Sequence, residues 1–213
     1  MAVRTRVRGT GLIADSAGTL LTAAHVILQA RSGCTLSVLL PEDEWTRTRG
    51  LRRFLLGDCH LNPPLDIAVC RIHPAEGQRD WAYIRGASIS FRQVEPGEAV
   101  FVTAFTGWGF SPFTRAGRIT GRRDYERPDG CRCSFATDIV AVEGMSGSPI
   151  ISGNGEVLGI LTLAGSGRFR SFSFGISFDE ARAFLRSEGL QGGSLSRRDA
   201  TIPGTPSLTA RFR

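Results

Sequence analysis

"GMSGSPIISGNGEVLGILTLAG", residues 144–165, carries the reading on which the fold turns. Two apolar runs, "SPIISG" and "EVLGILTLAG", flank Asn154-Gly155. Asn-Gly between two strand-like runs is a strong hairpin signal, because both residues accept the positive φ of a tight turn. The segment before the first run, Gly-Met-Ser-Gly-Ser-Pro, is dense in turn residues. It reads in two ways: as an ordinary tight turn, or as a turn that presents a nucleophilic serine beside its own backbone N–H groups.

Working outward, the same short runs recur: "GTGLIAD", "TLLTAAHVIL", "CTLSVLL", "RRFLLGD", "DIAVCRI", "EAVFVTAF", "GRITGRRD", "CSFATDI" and "FSFGISF". Gly, Pro, Asp and Asn punctuate them, and helical periodicity is scarce. Many short strands at such spacing predict an all-β sandwich or barrel. The exception is "SFDEARAFLRSEG". Ser177 and Glu180 have capping-box spacing, and Ala181, Phe184 and Leu185 line one face. Gly189 is a natural stop, so one helix is expected near 178–188. The polar stretch 190–213, rich in Gly, Ser, Pro and Arg, reads as a flexible tail or linker. The chain is expected to divide near residues 80–97, giving β units over 1–90 and 91–189.

The 213 residues suffice for one large or two small cores. The net charge is +6, and all 26 basic residues are arginine. They are scattered, with no basic helix or aromatic stacking motif, so no nucleic-acid partner is expected. No window approaches the ~20 apolar residues that span a bilayer, so no membrane partner is expected either. "MAVRTRVRGTG" lacks the apolar centre of a secretory signal, which makes a cytoplasmic location the expectation. Five cysteines, an odd number, favour free thiols in a reducing compartment. "CRC" at 131–133, with Cys59 or His60, lacks paired Cys-x-x-Cys spacing. It reads as a hairpin, and no metal or other cofactor is expected.

Three segments carry chemistry together. "LLTAAHVI" places His25 at the end of an apolar strand, "PPLDIAV" places Asp66 at the entry to another, and "GMSGSP" supplies Ser146. A serine hydroxyl is a poor nucleophile at neutral pH. It needs a neutral imidazole to take its proton, and the imidazole needs a buried carboxylate to fix its tautomer. Taken singly, each residue has a bland reading as a structural histidine, a turn aspartate or a turn serine. Their joint occurrence, each attached to an apolar strand, favours the chemical one.

"GTGLIADSAGTLLTAAHVI", "LDIAV" and "TDIVAVEGMSGSPIISGNGEVLGI" resemble the trypsin-like, chymotrypsin-fold serine peptidases, and most closely the bacterial glutamyl endopeptidases and high-temperature-requirement proteases. The resemblance runs from about residue 7 to 188, with little contributed by 73–97. It implies two six-stranded antiparallel β-barrels, with the active site between them and the helix at the C-terminal side. It implies His25 as general base, Asp66 as its orienting acid and Ser146 as nucleophile. The N–H groups of Gly144 and Ser146 would form the oxyanion hole.

The departures from the family are informative. Digestive-type members carry an acid before the nucleophile that pairs with a new amino terminus; Met145 stands there, so activation by that ion pair is not expected. Val140 stands where tryptic enzymes carry an acidic pocket residue. Leu161 stands where glutamyl endopeptidases carry a histidine. Thr162, Leu163 and Ala164 would contact substrate, Gly175 would form the opposite wall, and Glu143 would sit at the pocket mouth. Cleavage after small or medium apolar residues is the expectation. The partners implied are a protein or peptide substrate and a regulatory protein that switches on an intracellular enzyme. The alternative is a catalytically silent pseudo-protease that binds peptides or partners in the same cleft.

Overall fold

The computed structural model describes residues 9–29, 35–41, 51–73, 86–105, 112–126, 130–192 and 209–212. Cys34 and residues 193–208 of the expected tail lie outside this set. The short runs form strands that close into two six-stranded antiparallel barrels, as the fold expectation requires. The first barrel takes β1 (Thr10–Ile13), β2 (Thr19–Thr22), β3 (Ser37–Pro41), β4 (Leu51–Asn62), β5 (Ile67–His73) and β12 (Thr209–Phe212), in the order β1-β12-β3-β4-β5-β2. The second takes β6 (Ala99–Ala104), β7 (Phe113–Glu126), β8 (Arg132–Thr137), β9 (Pro149–Ser152), β10 (Val157–Ala164) and β11 (Ser173–Ser177), in the order β10-β11-β8-β7-β6-β9.

Period-2 patterning explains how the barrels join. Strands β1 and β2 are buried at every position. One face, Ile13 and Leu20, fills the first barrel. The other, Leu12 and Leu21, joins Ile67 and Val69 in a seam against Val157, Ile160, Ile176 and Phe178 of the second barrel side. Each such side chain, when fully buried, contributes about 2 kcal/mol. The connecting segment reinforces the seam: Ala87 N–H donates to Ile13 O at 3.0 Å, and Ser90 N–H donates to Val157 O at 2.9 Å.

Expectations about the tail, the helices and the thiols are corrected. The last part of the expected flexible tail, Thr209–Phe212, is β12, paired Gly11↔Ala210 with β1 and Arg211↔Leu39 with β3. Edge strands present unpaired N–H and C=O groups, and β12 satisfies the facing edges of both β1 and β3. Composition carries no signal for such distant pairing. A second correction concerns helices: α1 (Ala24–Leu28) follows β2 at once, so His25 sits in a helical turn rather than ending a strand. The expected helix is shorter than 178–188, forming α2 (Arg182–Ser187), and Ala181 caps it with no side-chain hydrogen bond. The Ser177–Glu180 capping box does not form; Ser177 ends β11, and Glu180 meets Arg122 instead. The last correction concerns thiols: Cys59 and Cys70 form a disulfide across β4 and β5. The inference to a reducing compartment loses that support.

Candidate active site

His25 and Asp66 are held by one local arrangement. The sequence Asn62-Pro63-Pro64-Leu65 forms a tight 3-10 turn: proline fits its first position, and the Asn62 side chain accepts from Leu65 N–H at 3.3 Å. Asp66 ends the turn in the left-handed region, at φ 50°, which aspartate tolerates better than most residues. From there it grips α1, whose own cap residue Ala23 offers no side-chain acceptor. Ala24 N–H donates to the Asp66 carbonyl at 3.1 Å, and His25 N–H donates to Asp66 Oδ1 at 2.9 Å. These two bonds satisfy N–H groups that a helix start leaves open.

The remaining carboxylate oxygen meets the imidazole. His25 Nδ1 and Asp66 Oδ2 are 2.7 Å apart. An ionised carboxylate only accepts, so Nδ1 is the donor, and in the neutral imidazole Nε2 keeps the lone pair. The Asp66 side chain is 2% exposed and that of His25 is 25% exposed. The carboxylate is therefore sheltered, while the imidazole reaches the surface of the cleft. The Cys59–Cys70 disulfide brackets this turn in sequence and ties the two strands that lead into and out of it.

Ser146 lies on the loop between β8 and β9. Gly144 and Gly147, on either side of it, adopt φ of 96° and 83°. Glycine reaches these values at no steric cost. The loop is pinned on both sides. Thr10 N–H donates to Ser146 O at 2.8 Å, and Gly147 N–H donates to Leu161 O at 2.7 Å. A Cβ at Gly147 would lie 2.2 Å from Thr10 O, 2.3 Å from Thr22 Oγ1 and 2.9 Å from Ala23 N. The nucleophile loop of the second barrel thus rests directly on the chain two residues before His25. Met145 is fully buried in the second barrel core, and its sulfur accepts from Val142 N–H. Among the described residues, neither Gly144 N–H nor Ser146 N–H has an acceptor. The half-buried Ser146 hydroxyl likewise has no hydrogen-bond partner there, His25 included.

The residues expected around a specificity pocket fall in two groups. Val140, Glu143 and Ala164 are exposed, Leu163 is half-buried, and Thr162 is buried with its hydroxyl 3.5 Å from Cys133 Sγ. Leu161 and Gly175 are register partners on β10 and β11, and both are buried. A Cβ on Gly175 would lie 2.5 Å from Phe135 Cζ, so the Phe135 ring covers the space that this glycine leaves. Phe135, Arg115, whose guanidinium donates to the Val140 carbonyl, and Thr10 were not singled out by the sequence reading. Their alternating strands signal burial or exposure, but nothing in them signals proximity to residues so far away in the chain.

Comparison with known proteins bears on the fold and the family. The chain is 27% identical over 184 residues to the magnetosome formation protease MamE of Paramagnetospirillum magneticum, covering 84% of this chain and 23% of MamE. It therefore spans under a quarter of that relative's length. The MamO protease domain of Magnetospirillum magneticum, in its apo form, superposes with a TM-score of 0.66 at 19% identity, over 87% of this chain and 92% of that one. The active form of the Rv3671c protease of M. tuberculosis gives a TM-score of 0.66 at 20% identity, over 87% and 75%. Identities this low speak for the fold alone. Residues 9–160 match the trypsin-like peptidase domain, and the chain belongs to that family.

Proposed function

We propose that the chain is a serine endopeptidase working through an acyl-enzyme. The observation that carries this reading is the His25–Asp66 couple, at 2.7 Å, beside a loop that keeps two backbone N–H groups and one serine hydroxyl unpartnered among the described residues. His25 Nε2 takes the Ser146 proton as Oγ attacks the scissile carbonyl. Asp66 supports the imidazolium that results. The Gly144 and Ser146 N–H groups receive the charge on the carbonyl oxygen, each worth about 3 kcal/mol in the transition state. The imidazolium then protonates the leaving amine, and water repeats the sequence to release the acyl group.

The reading of substrate is cleavage after small or medium apolar residues. Val140 offers no charge to a basic side chain, and buried Leu161 replaces the histidine of glutamyl endopeptidases. Phe135 packed against Gly175 favours a shallow pocket. A protein or peptide is the substrate, and a regulatory protein partner would make the activity conditional. One observation favours a second reading, a cleft that binds peptide without cutting it: the Ser146 hydroxyl has no hydrogen bond to His25. Such bonds often tighten only when substrate arrives. A peptide library incubated with wild type and Ser146→Ala, followed by mass spectrometry, separates the two. Cleavage by wild type alone, after Ala, Val or Leu, supports the endopeptidase. Binding without cleavage supports the silent cleft, and a preference for Arg or Glu contradicts the reading of the pocket.

A further inference from the structure

We infer that Thr10 is a positioning residue for the oxyanion-binding loop, an inference that rests on the endopeptidase reading of that loop. Thr10 is fully buried at the start of β1, and each of its polar groups is used. Its N–H donates to Ser146 O at 2.8 Å. Its hydroxyl donates to Gly144 O at 2.8 Å and accepts from Phe105 N–H at 3.1 Å. Its carbonyl accepts from the Thr22 hydroxyl at 2.9 Å.

The pattern is specific to the loop's task. The two N–H groups assigned to the oxyanion belong to Gly144 and Ser146. The carbonyls that Thr10 binds belong to the same two residues. A peptide unit is planar, so holding the Gly144 carbonyl also holds the Met145 N–H, and holding the Ser146 carbonyl also holds the Gly147 N–H. The unit that carries the Ser146 N–H lies between these two held units, and the unit that carries the Gly144 N–H adjoins the first. Glycine at 144 is free to rotate, at φ 96°, and so needs an external restraint to hold one orientation. Thr10 supplies it from the other barrel. Through Thr22 it also ties the loop to the strand that leads into His25. One residue, through its hydroxyl on one side and its carbonyl on the other, thus links the chain that leads into the general base to the loop that carries the charge-receiving amides.

The hydroxyl is separable from the rest. Thr10→Val preserves shape and both backbone bonds, and removes only the bonds to Gly144 O and from Phe105 N–H. Thr10→Ser keeps the hydroxyl and loses a methyl. In steady-state assays the valine variant should lose about 10- to 100-fold in kcat with KM within about threefold, part of the 10²–10³-fold typical of a lost oxyanion donor. The serine variant should stay within about threefold of wild type in both. A readout independent of catalysis is amide hydrogen exchange at Met145 and Ser148, which are hydrogen-bonded within this loop, with Phe105, whose N–H donates to the Thr10 hydroxyl, reporting the loss of that acceptor. Exchange there should quicken about tenfold in Thr10→Val and stay near wild type in Thr10→Ser. If wild type proves catalytically inert, the endopeptidase reading falls, and the exchange alone decides the clamp. Equal exchange in all three proteins overturns it. So does a Thr10→Val kcat within twofold of wild type, or a Thr10→Ser variant as impaired as Thr10→Val.

Discussion

Asp66 holds His25 at two points: Oδ2 lies 2.7 Å from Nδ1 of the ring, and Oδ1 accepts the backbone N–H at 2.9 Å. The second bond means that the carboxylate positions the helical turn as well as the imidazole. Asp66→Asn tests the two roles separately. Asparagine accepts the left-handed φ of 50°. It can still receive the backbone N–H, but it offers an amide to Nδ1 and forces the proton onto Nε2. The account predicts a fall in kcat of about 10⁴-fold with little change in thermal midpoint. A loss of fold equal to the loss of activity would show that Asp66 acts only as a cap.

Gly147 is expected to tolerate no side chain. In Gly147→Ala the new methyl would meet Thr10 O and Thr22 Oγ1 at under 2.5 Å, on backbone at φ 83°. Strain and overpacking together should cost about 2–4 kcal/mol in urea denaturation. Gly153, where an added Cβ meets nothing within 4 Å, is the control and should accept alanine with a small effect.

Strand β12 gives a sharp test of the fold. Ala210 pairs with Gly11 of β1, and the next residue, Arg211, pairs with Thr10 of β1 and Leu39 of β3. Ala210→Pro puts a fixed φ and a ring without an N–H into this ladder and should destabilise the protein by about 2–4 kcal/mol. A flexible tail would accept the same proline without effect. Equilibrium urea unfolding of the two proteins distinguishes these outcomes.

A pH-dependent contribution comes from the connection between the barrels. The Arg92 guanidinium binds both Glu98 and Glu156. Burial alone would raise the Glu98 carboxyl, but its hydrogen bonds to Arg92 and to Glu95 N–H prevail and hold it below its ordinary value. A carboxylate with a lowered folded pKa stabilises the fold at pH above its unfolded value, and that stability fades as pH falls through the folded one. Arg92→Gln should therefore lower the thermal midpoint at pH 7. The gap to wild type should narrow as pH drops below about 4.5. A gap that stays constant down to pH 2 would contradict this reading.

How much of this was written in the sequence depends on the range of the interaction. Alternation in "EAVFVTAF" and the Asn154-Gly155 turn are local, and β6 and the β9–β10 hairpin follow from them. His25, Asp66 and Ser146 stand out as candidates only together, because each short stretch taken alone also reads as a structural histidine, a turn aspartate or a turn serine. Helix α1 was not, since five residues after an apolar strand carry too few turns to show a 3.6 period. The capping box at Ser177 misled because β11 claims that residue for its ladder with β10. The β1–β12 pairing, the Cys59–Cys70 bond and the Thr10 contacts depend on partners brought together by closure of the barrels. No local pattern encodes them.

The central claim is that Ser146 is made nucleophilic by His25, and intact-mass measurement after fluorophosphonate treatment tests it most directly. The account predicts a single adduct on Ser146 in wild type, none in Ser146→Ala, and labelling slowed at least ~10³-fold in His25→Ala. A folded wild type that stays unmodified, or one that labels no faster than His25→Ala, would contradict it.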